Sequence, residues 1–509
     1  MQSLVSFCAH KVVSDHASVR HSMDFIPKEL YPVLFRAAFL DKKTLVLQDL
    51  VHRWPFSVLS FQKLLQCDRH NPTLLRDKPS KLCVQTVILG VMAYLSEALA
   101  KENGGSNSGM RQLQLLDMTG MQDDGLEREP DSMSLWSSTV ALSKACIDIS
   151  RRHSEDVLRI TKRRKGSRDA TFTPRPLVSS VFVEVRVDLF VNSTSYGVLR
   201  EALLISSRSP LRLQCRDLRA EELSLQSTAG LLELLNPAGV RKIDLRFNNL
   251  GLPGLNVLLP LMTKFTWLKS LKLPYSNIDI KRLSPEMEEG LQTFTSQIGQ
   301  LRALQELNLG SSRLSGRLRQ LLGGLQTPLE SLELAFCYLL PMDLYYLSKS
   351  VHVFTLKKID LSGNNLSEIL LQPFLQLLTE VSPTLMHLDI MECRLADAHL
   401  SIIMPALCRC LGLRYIGFAS NPVSSQGLKT FLQNSVRLPE LQQVVYPFPV
   451  DCFSDDIPST RCTFAKILYD EEKVKQVAIA LQEMLVRAQR SDIVWTTDMY
   501  QETFMDYLN

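Results

Sequence analysis

A hydrophobic pattern that recurs seven times in tandem between residues 240 and 423 constrains the fold of this 509-residue chain more than any other feature. Each copy reads L-x-x-L-x-L-x-x-N/C-x-L, with other apolar residues at some leucine positions and serine in place of asparagine in two copies. The copies begin at Val240, Leu268, Leu304, Leu329, Leu356, Leu385 and Leu413, and a truncated eighth copy begins at Leu441. This template at this period is the signature of a leucine-rich repeat.

Each repeat predicts one strand and one helix. The L-x-L centre predicts a short parallel strand with buried leucines, and the Asn, Cys or Ser that follows can hydrogen-bond the backbone where the chain turns away. The rest of the unit has the pattern of a helix, for example at 370–378 and 400–407. The predicted fold class is therefore an α/β horseshoe with parallel strands on the concave face and helices outside.

Both ends of such an array need caps, because an open parallel sheet exposes edge strands and apolar faces. Residues 23–100 have a helical pattern, and residues 470–490 carry apolar side chains at helical spacing. The predicted segments are 1–40, a helical segment with two short motifs; 41–109, a helical cap; 110–147, a degenerate first repeat; 148–178, a basic flexible linker; 179–450, the repeats; and 451–509, the C-terminal cap.

Composition excludes several classes of protein. Lys plus Arg number 57 and Asp plus Glu 53, a bias too small to indicate nucleic-acid binding. The longest uninterrupted apolar run, 87–95, is about half of the roughly eighteen residues that a membrane span needs, so we expect no membrane. Polar residues stand where a signal peptide would be apolar, which favours the cytoplasm. The basic run 162–165 could direct nuclear import, although a solvated charged loop is the commoner meaning of such a run.

No enzyme signature is present in the sequence. It contains no P-loop, no G-x-G-x-x-G, no H-E-x-x-H and no G-x-S-x-G. The eleven cysteines include no C-x-x-C pair, so we expect free thiols and neither a metal nor a redox site. The chain is therefore predicted to be a binding protein without cofactor rather than an enzyme.

Two short motifs occupy the first forty residues. The first, S-L-x-x-x-C-x-x-x-V, is formed by Ser3, Leu4, Cys8 and Val12, which place an apolar stripe along a helix. It resembles the elongin-binding box of ubiquitin-ligase adaptors, which implies that Leu4 enters a pocket on elongin C. The second motif resembles the box that selects cullin-2 and is formed by Ile26, Pro27, Leu30 and Leu34. Pro27 suits a first helical turn, so we expect Ile26, Leu30 and Leu34 along one helix side, with a bend at Pro32. The alternative is that both motifs are helices of a cap.

Five further segments carry a resemblance to a family. They are Ile26-Pro27-Lys28-Glu29-Leu30-Tyr31-Pro32, Trp54-Pro55-Phe56, Val183-Glu184-Val185-Arg186-Val187-Asp188-Leu189, Ser315-Gly316-Arg317-Leu318 and Tyr446-Pro447-Phe448-Pro449. In this order they resemble the PRAME family over nearly the whole chain. The resemblance implies a cytoplasmic substrate receptor of a cullin-2 RING ubiquitin ligase that binds elongins B and C. For one subgroup it implies, alternatively, inhibition of NF-κB signalling through an IκB kinase subunit.

The concave face is the expected site for a protein substrate. Strand side chains alternate, so the residues between the leucines point out of the sheet. The first units contribute basic and aromatic residues, and the next ones acidic and aromatic residues: Arg241, Arg246, Phe247, Lys269, Lys272 and Tyr275, then Glu306, Glu330, Glu333 and Phe336. Aromatic anchors beside charges of both signs are typical of an interface, so we expect a bipolar binding surface. The alternative for each charge is simple solvation.

Overall fold

The computed structural model describes residues 4–65, 80–103, 113–121, 135–165, 181–281, 284–453 and 469–498. The chain divides into two compact units, Met1–Ile243 and Asp244–Asn509. We describe each unit separately.

The first unit begins with helices and continues with strand–helix repeats. Its elements are α1 (Leu4–Val13), α2 (His16–Ser22), α3 (Tyr31–Leu40), α4 (Thr44–His52), β1 (Val58–Ser60), α5 (Phe61–Leu65), α6 (Lys81–Asn103), β2 (Leu115–Asp117), α7 (Leu135–Lys165), β3 (Val183–Val191), α8 (Tyr196–Ser206), β4 (Leu211–Ala220) and α9 (Leu225–Leu234). Strands β1 to β4 pair in chain order, and every pairing is parallel. The division between the units falls within β5 (Lys242–Asp244).

The second unit alternates one strand with one helix. Its elements are α10 (Gly251–Met262), β6 (Ser270–Lys272), α11 (Pro285–Ile298), β7 (Glu306–Asn308), α12 (Leu318–Leu322), β8 (Ser331–Glu333), α13 (Pro341–Ser348), β9 (Lys358–Asp360), α14 (Leu371–Val381), β10 (His387–Asp389), α15 (Asp397–Leu407), β11 (Tyr415–Gly417), α16 (Ser425–Ser435), β12 (Gln443–Val445), α17 (Glu471–Arg487) and β13 (Val494–Thr496). Strands β6 to β13 are parallel neighbours in chain order. This open, unclosed alternation confirms the predicted fold class, the α/β leucine-rich-repeat horseshoe.

The Asn or Cys that follows a strand hydrogen-bonds the backbone at the turn, as the repeat predicts. A serine at this position does not, because its side chain is too short. Asn421 donates from Nδ2 to the carbonyls of Ile390 (2.9 Å) and Phe418 (2.7 Å). The thiol of Cys337 donates to the carbonyl of Leu309 at 3.2 Å. The buried hydroxyl of Ser312 at the equivalent position has no hydrogen-bond partner. A serine oxygen is too close to its own backbone to reach the carbonyls.

Helix α7 corrects the prediction of a flexible linker at 148–178. The helix runs without interruption to Lys165, and the remainder of that segment, 166–178, lies outside the described residues. Leu142, Cys146 and Ile149 are buried at helical spacing, so the first half of α7 is anchored in the core. The helix then continues through the basic run, whose charged residues are good helix formers.

The structure also corrects two expectations about the N-terminal region, the uninterrupted helical pattern of residues 23–100 and the absence of a segment long enough to span a membrane. Residues 58–60, within the stretch predicted to be helical, form strand β1, because they pair in parallel with β2. The segment Lys81–Lys101 is, by length and composition, long and apolar enough to cross a membrane, which the count of uninterrupted apolar residues missed. In the structure, 56% of its apolar window is buried. Gly90 allows close packing on α4, since a Cβ there would lie 2.8 Å from Val51 Cβ.

Candidate functional site

Helix α1 exposes the apolar side chains of the first motif. Ala9 and Val13 are buried on its inner side, and the helix packs on α3. On its outer side Leu4 is 79% exposed, and Cys8 and Val12 are exposed as well. Ser3 lies outside the described residues. The predicted stripe is therefore on the surface of the first unit and is not used to pack this helix.

Two histidine–carboxylate contacts hold helices α1 and α2 against the rest of the N-terminal cap. His10 Nδ1 lies 2.7 Å from the carboxylate of Asp41, which follows α3. His16 Nε2 lies 2.9 Å from Asp49 on α4. These contacts and the buried Val13 place α1 firmly, so its exposed stripe is presented in a fixed orientation.

The second motif does not lie along one side of a helix, which corrects the prediction. Ile26 has an extended conformation, Pro27 precedes a short 3-10 turn, and α3 begins only at Tyr31. Leu30 is exposed, whereas Leu34 is 5% exposed and belongs to the core. Pro32 stands in the first turn of α3, where its missing N–H costs nothing, and the helix therefore begins there.

Aromatic side chains line the carboxyl ends of the strands in the second unit. We call Phe247, Tyr275 and Phe336 the aromatic edge; they are 48%, 51% and 40% exposed. The rings of Phe247 and Tyr275 stack with centroids 4.6 Å apart. The ring of Phe336 lies over Gly363, where an added Cβ would clash with it. The three predicted aromatic residues thus occupy equivalent turns of the repeat.

The predicted charges largely pair with one another, which corrects the expectation of a bipolar surface. Lys272 lies 2.7 Å from Glu306 and 3.0 Å from Glu333, and its side chain is 12% exposed. Burial lowers the pKa of Lys272, but the two carboxylates outweigh it and raise the pKa above its ordinary value. The register of β6, β7 and β8 brings these three residues together, so the basic and acidic patches merge into one buried cluster.

The other predicted charges are also engaged or half-buried. Arg246 binds the carboxylate of Asp244, with its Nη2 2.6 Å from Oδ2. Glu330 lies 2.6 Å from Lys357 on the neighbouring repeat. Arg241 and Lys269 are half-buried beside the strands.

A carboxyl pair on the next strands was not among the predicted site residues. Asp360 on β9 and Asp389 on β10 are register partners and share one face of the sheet. Burial raises the pKa of both carboxyls to about 7, and for Asp360 the neighbouring charge of Asp389 adds to the effect. His387 Nε2 lies 2.6 Å from Asp389 Oδ2, and the imidazole stacks on Tyr415 at 4.0 Å. The signal available in the sequence was an aspartate at the same position of two successive repeats.

Among the described residues, no group of three or more His, Cys, Asp or Glu side chains could hold a metal ion. The described cysteines are free thiols. Burial raises the pKa of Cys146 to about 11 and that of Cys337 to about 12, so these thiols stay protonated.

These features define a leucine-rich-repeat protein with exposed apolar and aromatic side chains, for which no catalytic domain is indicated. The chain belongs to the PRAME family: residues 2–77 match the PRAME N-terminal domain, and residues 183–503 match the PRAME C-terminal domain. Proteins of this family are generally binding or adaptor proteins.

Two curated relatives match the chain over its whole length. Leucine-rich repeat-containing protein 14 of Xenopus laevis is 68% identical over 511 residues, and the human protein of that name is 44% identical over 514 residues. Both matches cover 100% of this chain and of the relative. The five sequence segments that carry the PRAME resemblance predict the subgroup of leucine-rich repeat-containing protein 14. Within it they predict the 14B form, which the names of these relatives do not distinguish.

Two solved structures are similar to the chain at lower identity. The leucine-rich repeat-containing protein LegL7 from Legionella pneumophila is 17% identical, with a TM-score of 0.34 over 46% of this chain and 74% of that one. The Rad7 and Elc1 complex in yeast contains a chain that is 12% identical, with a TM-score of 0.40 over 92% of this chain and 97% of that one.

Proposed function

We propose that this chain is the substrate-recognition subunit of a cullin-2 RING ubiquitin ligase. In this proposal α1 binds the complex of elongins B and C, and Ile26, Pro27 and Leu30 contact cullin-2. The strand face of the second unit receives a protein substrate. Ubiquitin transfer belongs to partner proteins, so the chain acts in the cytoplasm as a receptor and not as an enzyme.

The exposed stripe of α1 is the observation that carries the proposal. Leu4, Cys8 and Val12 repeat at four-residue spacing on a helix whose other side already supplies its packing. Phe7 extends the stripe and is exposed as well. A cluster of exposed apolar side chains on a fixed helix is typical of a protein-binding site. The four-residue spacing of the stripe matches the elongin-binding box, whereas a nonspecific apolar surface would have no defined spacing.

The contribution of Leu4 can be tested with purified elongin B–C complex. Burying an exposed leucine contributes about 2–3 kcal/mol, so Leu4→Ser should weaken binding roughly a hundredfold in calorimetry. Val5→Ser is the matched control, because Val5 is also exposed on α1 but lies outside the four-residue spacing. Both variants should keep the melting temperature of the parent. Unchanged elongin binding by a Leu4→Ser, Cys8→Ser double variant would rule out the box.

The same reconstitution tests the cullin contact. Replacing Pro27 and Leu30 with alanine should release cullin-2 while elongins B and C stay bound, because the two motifs lie on different elements. Leu34 is left unchanged, since its side chain is in the core. Loss of elongin and cullin together would mean that this segment only supports the cap. Intact protein that captures no elongin would favour the alternative function, inhibition of NF-κB signalling through an IκB kinase subunit.

A further inference from the structure

We propose that the strand face of the second unit binds an extended peptide that carries arginine or lysine side chains, held between the aromatic edge and the carboxyl groups of Asp360 and Asp389. This inference rests on the proposed function in one respect: the peptide would be a segment of the protein substrate. The binding itself requires no elongin.

The backbone conformation of the three aromatic-edge residues is unfavourable, and their side chains do not pack in the hydrophobic core. Phe247, Tyr275 and Phe336 have φ values of 60°, 57° and 56°, a left-handed conformation that costs a bulky residue about 1–2 kcal/mol. Gly363, at the equivalent turn of the next repeat, has a φ of 71° and shows which residue suits this backbone best. The aromatic rings remain about half exposed. Their faces attract guanidinium and ammonium groups, which gives a reason for their presence.

The strand face beside this edge has more carboxyl groups than cations. At the first and third positions of β6 to β10 there are four carboxylic residues, Glu306, Glu333, Asp360 and Asp389, and two lysines, Lys272 and Lys358. Lys272 is shared by the two glutamates, and Lys358 Nζ lies 3.5 Å from Glu333. Lys358 also acts on Asp389, and His387 Nε2 lies 2.6 Å from it, so two lysines serve four carboxyl groups. A cation from a ligand complements this excess of carboxyl groups.

A buried hydroxyl on the same face is independent evidence for a polar ligand. Ser331 pairs in register with Glu306 on one side and Lys358 on the other, so it faces the same way as these residues. It is 2% exposed, and its Oγ has no hydrogen-bond partner. A buried hydroxyl without a partner costs about 1–3 kcal/mol, and a polar atom of a bound peptide would remove that cost.

The spacing of the strands sets the length of the ligand. Neighbouring strands lie about 4.8 Å apart, so the five intervals from β5 to β10 span roughly 24 Å. An extended peptide rises about 3.3 Å per residue and covers this distance with about seven residues. A peptide of twelve residues is therefore long enough to contact the aromatic edge and both aspartates.

The affinity for a cationic peptide should increase as the pH rises from 6 to 8. Asp360 and Asp389, whose pKa values lie at about 7, ionise in this interval and gain attraction for the ligand. The groups that face them are Glu333 from β8, Lys358 from β9, His387 from β10 and Tyr415 from β11.

Fluorescence anisotropy with the full chain tests the inference. The probe is a fluorescein-labelled peptide of six Arg-Ser repeats, compared with one of six Glu-Ser repeats at about 0.15 M salt. The arginine peptide should bind at least tenfold more tightly than the glutamate peptide. An Asp360→Asn, Asp389→Asn variant and a Tyr275→Ala, Phe336→Ala variant should each lose at least tenfold in affinity. Equal binding of the two peptides, or no binding of either, would overturn the inference.

The matched control is Glu471→Gln with Glu483→Gln, which removes two exposed carboxylates from α17 and should leave the affinity unchanged. A similar loss in this control would mean that only net charge matters, which also overturns the inference. The outcome is separable from the proposed function. A chain that binds the arginine peptide but no elongin contradicts only the ligase assignment, and one that binds elongin but not the peptide contradicts only this inference.

Discussion

Lys272 illustrates how burial changes the role of a single residue. The repeat places it on the strand face, where it was expected to contact a substrate, but it lies between Glu306 and Glu333 with little solvent contact. Reversing its charge would put three carboxylates together in a buried position. A charge reversal at Lys272 therefore measures the stability of the sheet and not the recognition of a partner.

Replacing Lys272 with methionine should lower the free energy of unfolding by about 3 kcal/mol, because it leaves two buried carboxylates facing each other. Lys357→Met is the matched control: its ion pair with Glu330 is comparable in length, but the lysine is 39% exposed. That change should cost less than about 1 kcal/mol. Urea unfolding measures both values, and equal costs for the two variants would contradict this account.

At the scale of the element, the turn after each strand depends on one side chain that joins neighbouring repeats. Asn421 accepts hydrogen bonds from the N–H groups of Cys393 (3.0 Å) and Leu395 (2.9 Å) in the preceding repeat, besides donating to two carbonyls. Asn364 acts in the same way towards Leu339, accepting at 3.2 Å. The asparagine therefore determines both the end of its own strand and the position of the repeat before it.

Asn421→Ala should destabilise the second unit by roughly 2–4 kcal/mol, because it leaves several buried backbone groups without partners. Ser312→Ala, at the equivalent position, should change stability by no more than about 0.5 kcal/mol, since its hydroxyl has no partner to lose. Thermal unfolding of the two variants beside the parent provides the comparison. A cost at Ser312 as large as that at Asn421 would show that the hydrogen bonds are not the cause.

For the whole molecule, the buried carboxyls couple folding to pH. Asp360 and Asp389 have pKa values of about 7 in the folded chain, well above the value of about 3.9 for an unfolded aspartate. The folded state therefore holds protons that the unfolded state has already released. This contribution to stability is complete below about pH 4 and is lost as the pH rises through 7.

The melting temperature should consequently fall between pH 5 and 7 and level off above that range. An Asp360→Asn, Asp389→Asn variant, which cannot ionise at these positions, should show a flatter profile over the same interval. Differential scanning calorimetry at half-unit steps measures both profiles. A parent protein whose melting temperature rises over this interval would contradict the assigned burial of the two carboxyls.

The sequence by itself determined the features that depend on local period. The L-x-L spacing identified strands β6 to β12, the apolar positions at 470–490 identified α17, and the first twelve residues contained the stripe that α1 exposes. Each of these follows from residues a few positions apart, which one helix or one strand brings to a common face.

Only the tertiary structure decided which of those faces are free. Leu34 fits the cullin-2 motif but is used by the core, and α7 continues through a basic run because its first half is anchored by burial. Lys272 and Glu333 are 61 residues apart in the sequence. They meet because parallel strands two repeats apart are in register, which the lengths of the intervening loops and helices determine. The pairing of charges therefore depends on long-range geometry, which a local pattern does not contain.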